Sequence, residues 1–412
     1  MKKNKLLRSA IAMAILFSIA SCNKKTDTMP AQVSSPSPTL LEMIAEGGSN
    51  PDEAAIGENT VNLSGAKRPD GESGDAHFLY TETNAGAKNE IMKFKVLGNG
   101  HLQFEGVTAS GGNGTGKGLG SQGALTMSKN HEWLFAVNAG SNSVSTFKIN
   151  KDGTITLAHT EITRGLTPVS VTVHDNLLYV LNRGSDNIHG FRIGAGGKLS
   201  HIDNSTQALS GKAVDAPQIA FSPSGERIMV TEKATNIIST YKVNNDGSIS
   251  SGVFTPSVGS TPFGFDFSRD RFMIVTNAAG GAPGAGSATS YMMKSNGMPA
   301  TVNGAIPNGQ AAPCWMAITK FGRFGFATNT GSNNISSYYV STNGTLHLVQ
   351  AIAGKSGMAP TDVIVSANNY FVYAITANSN TIDGFKREVL GGLKSNGSTG
   401  GIPITATGLV TY

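Results

Sequence analysis

The chain has 412 residues, of which 51 are glycine and only 14% are charged. Such a composition is typical of many short strands joined by tight turns, and it argues against a mainly helical protein. The 32 basic and 27 acidic residues give a formal net charge of +5. Four of the basic residues lie within the first eight positions, so the remaining 28 nearly balance the 27 acidic ones. The sequence has no dense basic stripe, and we therefore expect no nucleic-acid partner.

The first 21 residues predict a bacterial lipoprotein signal peptide. Basic residues precede a short apolar stretch at residues 9–20, and IASC at residues 19–22 matches a lipobox, in which the cysteine is lipidated and becomes the first mature residue. An uncleaved membrane anchor is the alternative, although the apolar stretch is short for a spanning helix. We expect the lipid on Cys22 to hold the protein in the bacterial cell envelope, facing the periplasm or the exterior. No disulfide is expected.

Residues 22–58 are predicted to be the lipidated cysteine and a flexible tether. Residues 23–39 are polar and rich in proline and serine, and residues 40–46 are compatible with one helical turn. The propeller domain described next is predicted over residues 59–412.

A repeat of 44 to 52 residues is marked by one apolar residue per unit, at Phe135, Tyr179, Met229, Ile274, Phe326 and Tyr373. Each unit contains four short strand patterns, and glycine-containing turns such as KDGT, NDGS and TNGT separate the third from the fourth. A period in this range with four strands per unit predicts an all-β fold, the β-propeller.

The number of blades follows from counting the first two strands of each unit. Six inner strands are predicted in line, beginning at Gln122, Pro168, Ala216, Pro262, Pro313 and Pro360. Seven second strands are predicted, because HFLYTET at residues 77–83 has no inner strand before it. Residues 406–412 fit the missing inner strand. We therefore expect seven blades in a ring that the C-terminal strand closes within the first blade.

Several segments of the repeat carry a family resemblance: GLGSQGAL, LFAVNAGSNSVSTF, TEKATNIISTY, TPFGFDF, GQAAPCW, TNTGSNNISSY, and VTN at residues 275–277. They resemble the lactonase family of seven-bladed propellers with YVTN-type repeats, related to propeller 6-phosphogluconolactonases and fungal carboxymuconate-lactonizing enzymes. The resemblance covers roughly residues 75–412. It implies lactone hydrolysis or lactone-forming cyclisation without metal or organic cofactor. It assigns no catalytic residue to this chain, and fold alone does not fix function.

In a propeller, the start of each inner strand and the end of each second strand lie at one rim of the central channel. The second strands end in polar residues, at Asn138, Asn182, Glu232, Asn277, Asn329 and Thr376. An asparagine here can bond to the backbone two residues on and stabilise the turn. Glu232 makes such a turn poorly. It is therefore either a catalytic acid or base for lactone opening, or a salt-bridge partner of Lys233 or Arg183.

The third positions of the inner strands are chemically mixed, which a purely structural ring does not require. They are Ala124, Ser170, Gln218, Gly264, Trp315, Asp362 and Gly408. Asp362 is the competing catalytic carboxylate, on the opposite side of the ring. Arg183 is predicted to bind a substrate carboxylate. The further predicted substrate-binding residues are Lys233, Gln218, Ser170, Phe263 and Trp315. Trp315 fits equally well as core that plugs the channel.

Two glycine-rich loops, residues 110–120 and 278–287, are predicted to border the pocket mouth. The first lacks the terminal Lys-Ser/Thr of a phosphate loop. Cys314 is predicted to be a buried small residue rather than a nucleophile, and His174 lies at the far end of its strand. The eight histidines show no metal-ligand spacing, so we predict neither a metal nor a cofactor.

The predicted function is that of a monomeric lactone hydrolase or lactone-forming cycloisomerase. Its partner would be a small sugar-acid lactone or a carboxylated lactone, because an exported protein does not meet a cytoplasmic sugar phosphate. The alternative is a non-catalytic propeller that binds a glycan or an envelope protein through the same face.

Overall fold

The computed structural model of the protein describes residues 77–412. The predicted signal peptide, Cys22, the tether and residues 59–76 of the predicted propeller lie outside the described residues, and their assignments stay predictions. Residues 77–412 form seven antiparallel sheets, each with four main strands. The expected all-β, seven-bladed propeller is therefore confirmed. Among these residues no helix has the length and apolar character needed to cross a membrane.

The strands are numbered in chain order. Those of blades 1 to 3 are β1 (His77–Glu82), β2 (Glu90–Val96), β3 (Leu102–Ala109); β4 (Leu125–Met127), β5 (Trp133–Asn138), β6 (Ser143–Ile149), β7 (Ile155–Ile162); β8 (Pro168–His174), β9 (Leu177–Asn182), β10 (Asn187–Ile193), β11 (Leu199–His201) and β12 (Gln207–Ala208). Those of blades 4 and 5 are β13 (Gln218–Phe221), β14 (Arg227–Glu232), β15 (Ile237–Lys242), β16 (Val253–Pro256); β17 (Pro262–Ser268), β18 (Phe272–Asn277), β19 (Ser287–Met293) and β20 (Pro299–Pro307).

The strands of blades 6 and 7 are β21 (Pro313–Ile318), β22 (Phe324–Asn329), β23 (Asn334–Val340), β24 (Leu346–Lys355); β25 (Pro360–Val365), β26 (Phe371–Thr376), β27 (Thr381–Arg387) and β28 (Leu393–Gly400). The last strand, β29 (Thr407–Thr411), completes blade 1. Short 3₁₀ turns cover Arg183–Ser185, Ala195–Gly197, Ala279–Gly281 and Ala377–Ser379.

Burial decreases from the middle of each blade to its outer edge. The second strand β18 is buried at all six positions, whereas the fourth strand β3 has no buried residue. The second strands are apolar almost throughout because both of their faces pack against neighbouring blades. The fourth strands form the outside of the ring and mix polar and apolar residues.

The glycine turns join neighbouring blades. In the KDGT turn, Gly153 has a φ of 71°, and a Cβ there would lie 2.4 Å from the ring of Phe78. The same glycine accepts a 2.6 Å hydrogen bond from the hydroxyl of Tyr80 through its carbonyl oxygen. Only glycine combines this backbone conformation with so close an approach of an aromatic side chain. The repeated glycine therefore fixes the contact between adjacent blades.

The ring closes where the sequence predicts. Strand β29 pairs with β1 in antiparallel register, with Leu79 opposite Thr411 and Glu82 opposite Thr407. The Tyr412 and Phe78 backbones continue the ladder with two 3.3 Å hydrogen bonds. Blade 1 thus takes three strands from the start of the described chain and its inner strand from the C-terminus, which leaves no open edge in the ring.

Candidate functional site

The upper face is the face at which the seven second strands end and the inner strands begin. The strand registers show this directly, because Pro168 pairs with Asn182, Pro313 with Asn329, and Thr407 with Glu82. In most blades the register shifts just after the first inner residue. Such a bulge changes the direction of the side chains that follow it. The predicted convergence of the two sets of residues at one rim is confirmed.

The centre of the upper face is filled by residues 119–123, which we call the central plug. The backbone N–H of Gln122 donates to the carbonyl oxygen of Pro217 in blade 4 at 3.0 Å. Its side-chain amide donates to the carbonyl of Met316 in blade 6 at 2.8 Å and accepts the N–H of Met316 at 3.1 Å. The loop of residues 110–120, predicted to border a pocket mouth, therefore leads into a segment that connects blades 4 and 6 across the channel.

The side chains of Trp315 and Phe263 pack beneath the plug. The indole N–H of Trp315 donates to the carbonyl oxygen of Ser121 at 2.8 Å, and only 4% of the residue is exposed. Its ring lies 4.8 Å from that of Phe263, centre to centre. Of the two interpretations of Trp315, the structure shows the packed one.

A basic cluster lies beside the plug. The ammonium of Lys233 lies 3.0 Å from Asp215 and 4.9 Å above the ring of Phe263. Arg183 lies 3.7 Å from the same aspartate and donates to Gly120 at 3.4 Å. Burial lowers the pKa of Arg183, and the charge of Asp215 opposes this shift. Two cations share one carboxylate, so this part of the rim favours an anionic group.

Ser170 and Gln218 bind neighbouring inner strands. The Ser170 hydroxyl donates to Gln122 at 2.7 Å and accepts the N–H of Ile219 at 3.2 Å. The Gln218 side chain donates to the carbonyl of Phe265 at 2.9 Å and accepts its N–H at 2.6 Å. Both side chains form part of the inner wall of the ring, and a substrate-binding role for either stays a prediction.

The expected role of the rim asparagines needs a correction. The amide of Asn138 donates to Ser145 at 2.8 Å, and that of Asn329 donates to Ser336 at 2.8 Å. These partners are side chains on the third strand, not the backbone two residues on. The asparagines therefore tie the second strand to the third strand within a blade.

Glu232 occupies the same place in blade 4 and is fully buried. Each of its carboxylate oxygens accepts two hydrogen bonds: Oε1 from the N–H of Ser210 and the hydroxyl of Ser239, Oε2 from the hydroxyls of Ser210 and Thr235. The alternative of a salt bridge is wrong, because Lys233 and Arg183 both face Asp215. Glu232 thus links the same strands as the asparagines do, as an acceptor.

A second carboxyl at this repeat position, Glu82, was missed by the sequence interpretation. It ends β1, the second strand of blade 1, and is fully buried. Its Oε2 accepts a 3.3 Å hydrogen bond from Asn89, whereas Oε1 has no partner within the described residues. Burial raises the pKa of Glu82 well above its usual value, against the effect of Asn89, and the charge of Asp362 adds to the increase. The sequence feature that could have identified Glu82 is the match of YTE at residues 80–82 to VTE at residues 230–232.

Asp362 lies beside Glu82 at the closure of the ring. It is 4% exposed, and burial raises its pKa to about 7. The N–H of Gly408 and, at 3.4 Å, the hydroxyl of Thr407 donate to its carboxyl group and favour its charged form. The structure therefore brings Asp362 together with Glu82, and places Glu232 in blade 4 among other partners.

Other candidate groups lie elsewhere. Cys314 is fully buried, and His174 ends β8 at the face opposite the rim. Within residues 77–412 no three His, Cys, Asp or Glu side chains are grouped as a metal site would require. A groove between blades 1 and 7, near His101 and Asn396, is lined by none of the predicted site residues.

The comparisons with known proteins agree with this architecture. Residues 88–216 match the family described as Lactonase, 7-bladed beta-propeller. No curated protein matches the sequence. A candidate 6-phosphogluconolactonase from Bacteroides fragilis superimposes with a TM-score of 0.69 at 18% identity, over 83% of this chain and 99% of that one.

Two further solved structures are similar. A candidate 6-phosphogluconolactonase from Bacteroides uniformis gives a TM-score of 0.67 at 19% identity, over 82% of this chain and 100% of that one. The periplasmic gluconolactonase of Pseudomonas aeruginosa gives 0.65 at 19% identity, over 82% and 98%. At such identities the structures establish a shared fold. The family match over residues 88–216 and this shared fold confirm the resemblance of the chain to the lactonase-type seven-bladed β-propellers.

Proposed function

We propose that the protein is a lactonase-type enzyme that uses its own side chains and no cofactor. The observation that carries the proposal is Asp362, a buried carboxyl at the rim whose pKa of about 7 suits a general base at neutral pH. The sequence favoured Glu232 for this role. Four hydrogen bonds to Glu232 favour a structural role instead, so we assign the base to Asp362.

The reaction is the opening of a lactone by water. The Asp362 carboxylate accepts a proton from water while the water oxygen bonds to the lactone carbonyl carbon. The proton then passes to the ring oxygen as its bond to that carbon breaks, which yields the open hydroxy acid. The reverse sequence forms the lactone.

The substrate class follows from the charges of the upper face. Arg183 and Lys233 lie beside the plug with only Asp215 between them, in blades 3 and 4 and across the ring from Asp362 in blade 7. We therefore propose that they bind a carboxylate or hydroxyl of the substrate that is remote from the lactone carbonyl. A sugar-acid lactone or a carboxylated lactone has these groups. The similarity to proteins described as 6-phosphogluconolactonase and as periplasmic gluconolactonase supports this class. We place the activity in the cell envelope, on the basis of the lipobox at Cys22.

The test is proton release from a panel of sugar-acid and carboxylated lactones by the purified full chain. Asp362→Asn, which keeps the size of the side chain, is compared with Glu232→Gln. We expect turnover in the wild type and in Glu232→Gln, and a loss of about 100-fold or more in Asp362→Asn. Equal turnover in wild type and Asp362→Asn would move the base elsewhere.

A second candidate function is a binding propeller without catalysis. The observation that favours it is the closed centre of the upper face, where the plug covers the channel and Asp362 is only 4% exposed. No turnover on any lactone by a folded wild type, together with binding of a glycan that Arg183→Ala and Lys233→Ala weaken, would support this second function.

A further inference from the structure

The residue that ends the second strand is Asn in four blades, Thr in one, and Glu in blades 1 and 4. The two glutamates differ in their partners. Glu232 has four donors, whereas Oε1 of Glu82 has no partner within the described residues, although Glu82 is fully buried. A buried carboxylate oxygen without a donor is strongly disfavoured, while a protonated carboxyl loses much less on burial.

The backbone places Glu82 next to Asp362. Glu82 is the ladder partner of Thr407, so their side chains lie on the same face of the strand pair. The hydroxyl of Thr407 points to Oδ2 of Asp362, and Gly408 donates its N–H to the same carboxyl. The two carboxyl groups therefore flank one threonine at the closure of the ring.

The position of Glu82 is fixed from its other side. The Asn89 amide donates to Oε2 of Glu82 at 3.3 Å and to the carbonyl oxygen of Val137 in blade 2 at 3.1 Å. The side-chain Oδ1 of Asn89 accepts the backbone N–H of Asn84 at 2.8 Å. This bracing orients Glu82 and supplies no positive charge.

In the part of the chain that the structure describes, no cation balances the two carboxyl groups. None of the ion pairs within residues 77–412 includes Glu82 or Asp362. Two buried carboxyls at close range without a cation do not both ionise near neutral pH, and they titrate as a coupled pair.

We propose that Glu82 and Asp362 form a pair that holds one proton at neutral pH, with Glu82 as the member that carries it. Glu82 is thus a positioning residue. By remaining neutral it lets Asp362 carry the single negative charge of the pair and act as the base. This role in catalysis rests on the proposed lactonase function, whereas the proton on Glu82 does not.

The proton can be measured directly by infrared spectroscopy of the full chain in detergent at about pH 8, one unit above the pKa of Asp362. We expect the wild type to retain the carbonyl band of one protonated carboxyl. Glu82→Gln should lack this band. Asp362→Asn and Glu232→Gln should keep it. Asp266→Asn, which removes another, partly buried aspartate whose pKa is raised to about 6, should also keep it. The absence of the band from the wild type, or its persistence in Glu82→Gln, would overturn the proposal.

The catalytic role is tested separately. Glutamine resembles a protonated glutamate in shape and charge, so Glu82→Gln should retain activity within about threefold at neutral pH, with the acidic limb of its pH–rate profile unchanged. Glu82→Ala should lose more activity. Glu82→Gln could lose activity as completely as Asp362→Asn does, although the infrared spectra agree with the proposal. In that case the positioning role of Glu82 is wrong, but the proton shared by the pair is not. If neither the wild type nor any variant opens a lactone, the infrared result alone decides whether Glu82 carries the proton.

Discussion

Glu82 and Glu232 occupy the same repeat position in blades 1 and 4, and the difference between them comes from the strands around them. Glu232 is surrounded by Ser210, Thr235 and Ser239, whose hydroxyls all point to its carboxylate. Among residues 77–412, Glu82 has only Asn89 as a donor, and it faces Asp362 across the strand that closes the ring. Four donors stabilise a buried charge, whereas one donor beside another acid favours a proton. Residue type alone therefore does not decide which partners a rim carboxyl has.

The largest expected effect is on blade 1. Deletion of residues 407–412 removes the ladder partner of Glu82 and exposes the apolar residues of β1, but it leaves the partners of Glu232 in place. Leu409 and Val410 alone contribute about 3–6 kcal/mol through burial. We expect the melting temperature to fall by more than 10 °C, or cooperative unfolding to be lost. Removal of Tyr412 alone is the control, and similar melting of the two truncated chains would show that β29 does not hold the ring.

Asp362→Asn should separate stability from activity. Without a buried group that resists ionisation, the variant should be at least as stable as the wild type at pH 8, as measured by chemical denaturation. Its turnover of the best lactone should fall by about 100-fold to 10,000-fold because the base is lost. Glu232→Gln is the matched control and should keep its turnover. A reversal of these two results would return the base to blade 4.

Stability should depend on pH through Asp362. Its pKa is about 7 in the folded chain, against an ordinary value of 3.8. Between these values the folded state binds more protons than the unfolded state. The contribution of Asp362 to the free energy of unfolding should therefore be greatest below about pH 4 and fall by a few kcal/mol as pH rises to 7. Asp266 adds to the same trend. The measurement is the difference between wild type and Asp362→Asn in urea unfolding from pH 4 to 8, and parallel curves would contradict the assignment.

The smallest expected effect is a difference in the free energy of unfolding between Glu82→Gln and Glu232→Gln. Glu232→Gln replaces an acceptor oxygen by an amide donor opposite hydroxyls and an N–H, and it should lower the free energy of unfolding by about 1–3 kcal/mol at pH 8. Glu82→Gln should change it by less than about 1 kcal/mol, because glutamine resembles the protonated acid. Urea unfolding of both variants provides the comparison. Equal losses would mean that Glu82 does not carry the proposed proton.

The sequence predicted the ring because its signals are local. Strand periodicity, the glycine turns and the unmatched strand at residues 406–412 were sufficient for seven blades and their closure. Glu82 was missed although its strand was recognised, because the strand ends were compared for six blades only. The contact of Glu232 with Ser210 could not be predicted, since Ser210 follows the interrupted outer strand of blade 3.

The central plug was also beyond prediction. Gln122 bonds to Met316, which is 194 residues away in the chain, and no repeat or turn pattern indicates such a contact. For the same reason the sequence did not indicate that the loop of residues 110–120 leads into the plug, or that the indole of Trp315 bonds to it.

The closure of blade 1 also determines when the protein can finish folding. Residues 79–82 can pair with residues 407–411 only after the strands of the six other blades have been synthesised. Loop-closure entropy makes such a contact slow to form, and the six other blades can assemble from nearby strands before it. Until the last strand arrives, β1 presents an unpaired edge to chaperones and proteases. Glu82 and Asp362 meet only in the completed ring, so the candidate site is assembled last.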